Sequence, residues 1–203
     1  MYSQNNEEAI IKYYFRNIKG RFLDIGANDG MILSNTLWCA ENGWSGVCIE
    51  PSIYAFERLC ETHLNHDVQC INVAVGNESG IVDFYESGEH LGKGDTSLLS
   101  TIDKSELGRW QGTANEFTKT DAVAVTWEGL MQKIDGSNQF DLISIDAEGL
   151  DLDIMRQIDF NLHGCKMLII EYNQKDEFLF RALAAEYQLK LFAKNRENLI
   201  FVK

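Results

Sequence analysis

The chain has 203 residues, 45% of them hydrophobic, and a formal net charge of −13. That length suits one domain with a sizeable core, and the acidic balance, with no Lys/Arg cluster, argues against nucleic acid and anionic membrane surfaces as partners. Five cysteines (Cys39, Cys48, Cys60, Cys70 and Cys165), odd in number and never in a CxxC pair, argue against a disulfide framework or a zinc site. The single proline leaves no Pro-rich linker, no stretch approaches the roughly 18 apolar residues of a membrane span, and the polar N-terminus lacks a signal-peptide core. A cytoplasmic protein is expected.

Helical spacing of Ala9, Ile10, Tyr13 and Tyr14 predicts an N-terminal helix over Glu7–Asn17, within an N-terminal segment 1–20. A short apolar strand follows at Arg21–Ile25 and ends in a glycine-rich loop. Ile32–Glu41 reads as helix, Gly46–Glu50 as a second buried strand, and Ile53–Leu64 as helix after Pro51. Val68–Val75 reads as a third strand and Ile81–Tyr85 as a fourth. Residues 88–120 show no periodicity and are rich in Gly, Ser, Thr and Asp, so they are expected to form a long functional loop or lid. Asp95, Thr96, Ser97, His90 and Trp110 are its candidate pocket residues.

Regularity returns with strand Ala122–Thr126, helix Trp127–Lys133, strand Phe140–Ile145, helix Leu150–Ile158, strand Met167–Glu171 and helix Lys175–Tyr187. Lys190–Lys194 and Leu199–Lys203 close the chain as a hairpin. Apolar strands alternating with helices imply a doubly wound α/β fold, a mostly parallel sheet with helices on both faces and an antiparallel hairpin at one edge. No repeat or linker divides it, so residues 1–203 are expected to form one domain.

In such a sheet ligands bind beyond the carboxyl ends of the strands, and Phe22–Gly30 (FLDIGANDG) is the first loop there. Gly26 and Gly30 allow close backbone approach. A pyrophosphate site would want G-x-G-x-x-G, whereas this loop carries Asp24 and Asp29, which repel a pyrophosphate and attract the ammonium and sulfonium of S-adenosylmethionine. Glu50, at the end of the second strand, stands where an acidic side chain grips ribose hydroxyls. Asn72–Ala74 would lie near an adenine.

These residues resemble a known family. FLDIGANDG, Ser34–Thr36, GWSGVCIEPS (Gly43–Ser52), DLISIDAEGLDLDIM (Asp141–Met155) and LIIEYN (Leu168–Asn173) occur in the order and spacing of FkbM-type methyltransferases. The resemblance implies a Rossmann-like class I methyltransferase with a seven-stranded sheet. It implies S-adenosylmethionine as donor, S-adenosylhomocysteine as product, and transfer to a hydroxyl of a small-molecule or glycan acceptor. Carried over by position, Asp24, Gly26, Ala27, Asn28 and Gly30 form the cofactor loop, with Glu50, Pro51 and Ser52 at the ribose and Val73 and Ala74 near the base.

A second acidic set follows two later strands: Asp146 and Glu148 after one, Glu171 and Asn173 at the end of the other. Residues two apart share a face in extended chain, so each strand end offers paired oxygens pointing one way. Asp146, Glu148 and Glu171 are the candidate catalytic residues, with Asp146 also touching the cofactor. If the strands are neighbours, Asp146, Glu148, Glu171 and Asn173 offer four converging oxygen donors that suit Mg²⁺ or Ca²⁺, with Asp146, Glu171 and Asn173 the candidate ligands. The competing reading is that Asp146, Glu148 and Asn173 cap the helices that follow.

His63 and His66, three apart on a helix, are expected to be solvated surface residues, and His163 carries no assignment. Two further readings stand beside the enzyme: a catalytically silent nucleoside-binding partner subunit, and an NAD-dependent oxidoreductase. The acidic loop and the missing third glycine disfavour the latter.

Overall fold

A computed structural model of the chain describes residues 1–92, 94–111, 116–173 and 175–203. Among the described residues ten strands form two sheets. The larger comprises β1 (Arg21–Ile25), β2 (Ser45–Ile49), β3 (Val68–Ile71), β7 (Leu142–Ile145), β8 (Met167–Glu171), β9 (Lys190–Lys194) and β10 (Asn198–Val202) in the order β3-β2-β1-β7-β8-β10-β9. Its first five strands run parallel; β10 inserts antiparallel between β8 and β9. The smaller sheet has the order β4-β6-β5, from β4 (Ala74–Val75), β5 (Gly80–Ser87) and β6 (Phe117–Val125).

The central strands are buried on both sides, and for that reason they read as unbroken apolar runs. Alternate residues feed two cores. Leu23, Ile25, Ile143, Ile145 and Leu168 pack with α4 (Trp127–Met131), α5 (Asp151–Gln157) and α6 (Glu177–Glu186). Phe22, Cys48, Leu142 and Met167 pack with α1 (Glu7–Phe15), α2 (Leu37–Glu41) and α3 (Ile53–Thr62). Gly46 is required here, since a Cβ there would lie 2.2 Å from the Phe22 ring. Among the described residues no helix is long and apolar enough to cross a membrane.

Three elements differ from the sequence reading. The expected helix over Ile32–Glu41 begins only at Leu37. Asp29 Oδ1 accepts from the Met31 and Ile32 amides at 2.9 and 2.8 Å, and Ser34 Oγ from the Leu37 amide at 3.1 Å. These side chains outcompete helical bonding. The expected strand Val68–Val75 breaks at Asn72, so β3 and β4 lie in different sheets; Asn72 Nδ2 donates instead to the Glu50 and Pro51 carbonyls at 2.8 and 3.0 Å.

The 88–120 segment is not all loop. A 3-10 turn runs over Lys104–Trp110, and β6 starts at Phe117, pairing with β5 through Ser87↔Phe117. The first half of β6 is exposed and polar (Thr118, Lys119, Asp121), so it carries no hydrophobic alternation. Positions 93 and 112–115 of that segment lie outside the described residues.

Candidate active site

Sheet order reverses at β1: the chain steps outward through β2 and β3 on one side, then through β7 and β8 on the other. Ile25 is level with Ile49 and Ile145, and Ile145 with Ile170. The next residue on each strand, Glu50, Gly26, Asp146 and Glu171, therefore forms a row across four neighbouring carboxyl ends. With strands spaced about 4.8 Å apart, the row spans roughly 14 Å. A cleft opens along it, of about 1370 Å³ including its open mouth.

The β1 loop is held tightly. Gly26 and Ala27 amides donate to the Ile49 carbonyl at 3.0 Å, and Gly26 has φ +81°. A Cβ on Gly26 would stand 1.7 Å from the Asp146 carbonyl oxygen, so only glycine lets β1 and β7 meet here. Asn28 is left-handed at φ 48°; its side-chain amide donates to Thr96 O at 3.0 Å, while its Oδ1 is buried without a partner. An unpaired buried acceptor facing a cleft awaits a donor.

Glu50 is 4% exposed, and its two oxygens accept from the Asn28 and Ser52 amides at 2.9 and 2.8 Å. Burial nevertheless pushes its carboxyl up to about 8, with Glu86 and Asp146 adding to the rise. Asp24 accepts from Thr36 Oγ1 at 2.7 Å, and burial raises it to about 6.

Asp146, Glu148 and Glu171 each bring a carboxylate oxygen within 4.8 Å of the others. Asp146 opens to the cleft floor, where loss of bulk water and the charges of Asp151 and Asp24 raise it to about 8. Burial and the neighbouring Asp146 hold Glu148 and Glu171 well above the usual carboxylate range. Convergence does not come from strand alternation: β7 ends at Ile145, and Glu148 turns inward through a left-handed φ of 44°.

None of Asp146, Glu148 and Asn173 caps a helix: the N-cap of α5 is Leu150, with no side-chain cap bond, and α6 is capped by Asp176. Asp151, first in α5, accepts from the Ala147 and Gly149 amides at 2.8 and 3.2 Å. That leaves Asp146 and Glu148 to the cleft.

The cleft brings together most of the expected residues: Asp24, Gly26, Ala27, Asn28, Glu50, Pro51, Val73, Ala74, Asp146, Glu148 and Glu171 all line it. Four others lie behind it. Asp29 spends its carboxylate on its own turn, so of the two loop acids Asp24 alone lines the cleft. Gly30 packs on Leu59 and His63, and Ser52 caps α3 through the Ala55 amide at 3.3 Å. Asn173, left-handed at φ 48°, donates to Glu171 and orients it.

His63 is not solvated: it is 3% exposed, its Nε2 lies 3.7 Å from Cys48 Sγ, and burial lowers its pKa to about 4. His163 is a satisfied core residue, accepting from Trp127 Nε1 at 3.1 Å.

Part of the 88–120 segment covers the cleft. Ser97 through Ile102 line it, with His90, Arg109 and Trp110. Ser97 Oγ donates to Glu86 Oε1 at 3.0 Å, Thr101 Oγ1 donates to the Glu148 carbonyl at 2.7 Å, and Asp95 accepts from the His90 and Leu91 amides. Arg109, Gln4, Asn35, Glu197 and Asn198 also line the cleft and were not singled out by pattern reasoning. Asn35 lies within the Ser34–Thr36 motif, the others in none, and the Ser3–Leu33 bridge brings the segment of Gln4 to the cleft.

With this geometry in hand, a sequence model of the FkbM methyltransferase domain matches residues 24–195. The chain belongs to the FkbM methyltransferase family. No curated protein matches it. Among solved structures, the FkbM methyltransferase from Methylobacillus flagellatus KT superposes with a TM-score of 0.56 at 12% identity, covering 100% of this chain and 48% of that one. This FkbM chain thus spans about half of that protein. A proposed RNA methyltransferase, PH1948 from Pyrococcus horikoshii, gives 0.50 at 10% identity, covering 98% of this chain and 83% of its own. A proposed tRNA (m1A22) methyltransferase, Sp1610 from Streptococcus pneumoniae, gives 0.50 at 12% identity over 100% and 70%. At such identities the likeness is one of fold, and it is the seven-stranded Rossmann-like methyltransferase fold expected from the sequence.

Proposed function

We propose that this FkbM family member transfers a methyl group from S-adenosylmethionine to a hydroxyl oxygen of a small molecule or sugar. The observation that carries the reading is the row of Glu50, Gly26, Asp146 and Glu171 across four strand ends. One end of it suits a nucleoside and the other a polar acceptor.

The residues fit such a donor. Glu50 presents a buried carboxylate with free lone pairs to a ribose diol, Asn28 Oδ1 offers an unpaired acceptor, and Val73 and Ala74 supply apolar contact for a base. Asp24 and Asp146 would lose their protons to a bound sulfonium and ammonium and pair with them as carboxylates. When bound, that donor supplies a methyl group already activated for displacement, so the protein's task is chiefly proximity and in-line alignment. Asp146 and Glu171 are placed to orient the acceptor hydroxyl and take its proton. Ser97–Ile102 and Trp110 close over the same space and exclude water.

Asp146→Asn and Glu171→Gln should each lower methyl transfer by more than about 100-fold, in the range of lost acid–base assistance, and Glu171→Gln should leave S-adenosylmethionine affinity within about threefold. The assay is radiolabelled methyl transfer to a panel of sugars and hydroxylated small molecules. Full activity in both variants would remove the catalytic assignment. Tight cofactor binding with no transfer to any acceptor would favour a silent partner subunit.

A further inference from the structure

At the acceptor end of the cleft three carboxylates face one another, and among the described residues no side-chain cation is seated between them. Asp146, Glu148 and Glu171 each offer an oxygen within 4.8 Å of the others. Glu148 Oε2 is buried, has no hydrogen-bond partner among the described residues, and belongs to a residue only 8% exposed. Arg109 comes nearest, but its guanidinium stands 3.7 Å from Glu148 Oε2 and binds Glu106 at 3.2 Å. Lys175 is turned away, donating to the Gly149 carbonyl at 2.7 Å.

A buried anionic oxygen left without a donor carries a large desolvation penalty. One bound dication removes that penalty for all three carboxylates together. Around a calcium ion neighbouring oxygen ligands lie about 3.4 Å apart and opposite ones about 4.8 Å, so three oxygens all within 4.8 Å of one another are brought onto one ion by side-chain rotation.

We propose that Asp146, Glu148 and Glu171 form a binding site for one hard divalent cation. These are three of the four oxygen donors expected at the two strand ends; the fourth, Asn173, holds Glu171 through its side-chain amide. Three protein oxygens leave open coordination positions toward the cleft. An acceptor hydroxyl entering there would be oriented and made more acidic. That role rests on the methyl-transfer reading; the cation site itself does not.

The test is isothermal titration calorimetry of CaCl₂, MnCl₂ and MgCl₂ into chelator-treated full-length protein without any nucleoside, with Mn²⁺ electron paramagnetic resonance as a second readout. One cation per chain is expected for at least one metal. Glu148→Gln and Glu171→Gln should weaken it at least tenfold while S-adenosylmethionine still binds. Arg109→Ala, which removes the competing guanidinium beside Glu148, should tighten it severalfold. Absence of binding by all three metals, or affinity unchanged in both glutamine variants, would overturn the site. Should a variant fail to fold, free Mn²⁺ spectra from the wild-type protein alone would overturn it equally. Cation binding without S-adenosylmethionine binding would keep this site and refute the methyl-transfer reading.

Discussion

Replacing Gly26 with alanine should be the most damaging single-methyl change in the chain, and its cost can be worked from the structure. The new Cβ would lie 1.7 Å from the Asp146 carbonyl oxygen, against a practical minimum of 3.0 Å, so β1 and β7 must separate locally by about 1.3 Å. That movement sacrifices the 2.9 Å bond from the Asp146 amide to Ile25 O, about 1 kcal/mol. Overpacking adds roughly 1–3 kcal/mol, and the left-handed φ of +81° costs alanine about 1 kcal/mol more. Together these come to about 3–5 kcal/mol, or a fall of about 10 °C in Tm for a domain of this size. Gly136 provides a matched control, with φ +79° and nothing within 4 Å of its missing Cβ. Gly136→Ala should cost only the backbone contribution of about 1 kcal/mol, or roughly 2–4 °C. Differential scanning calorimetry of the pair decides it: equal losses would show that the close approach at Gly26 carries no energetic weight.

Other outcomes follow from the same geometry. Glu50→Gln should weaken S-adenosylmethionine binding by about 100-fold, since charge-assisted hydrogen bonds are worth about 1.5–3 kcal/mol each; calorimetry within threefold of wild type would remove Glu50 from the ribose. Asp29→Ala should cost about 1–2 kcal/mol from two uncapped amides yet change cofactor affinity less than about threefold; a large affinity loss would restore Asp29 to the ligand.

A pH series tests the buried acids. Folded Glu50 and Asp24 keep their protons to about 8 and about 6, against 4.5 and 3.8 when exposed. In between, the unfolded chain binds fewer protons than the folded one. The stability these groups contribute is therefore present near pH 4 and lost as pH rises through 6 to 8. The ligand-free Tm should fall from pH 5 to pH 8, with a cationic ligand restoring part of it; a Tm rising across that range would contradict the burial of both.

The sequence made the sheet legible because β1, β7 and β8 are apolar on both faces, and only parallel, helix-covered strands need that. Gly26 and Glu50 were legible because a close approach demands glycine and a strand-end acid is conspicuous. Asp146, Glu148 and Glu171 were found for a partly mistaken reason, since Glu148 joins them through a left-handed turn rather than a strand face. The half-exposed β6 hid its strand character in threonine, lysine and aspartate. Asp29 looked identical to Asp24 in the motif; only the direction of its side chain, into its own turn, tells them apart. Arg109 and Gln4 reach the cleft through tertiary contacts that leave no local pattern.

Titration of S-adenosylmethionine, S-adenosylhomocysteine and NAD into the purified chain tests the central claim most directly. Both sulfur nucleosides should bind one per chain and NAD should not, because acids crowded in the cleft ionise readily against the ammonium that both nucleosides carry and disfavour a pyrophosphate. Binding of NAD with no binding of either sulfur nucleoside would contradict it.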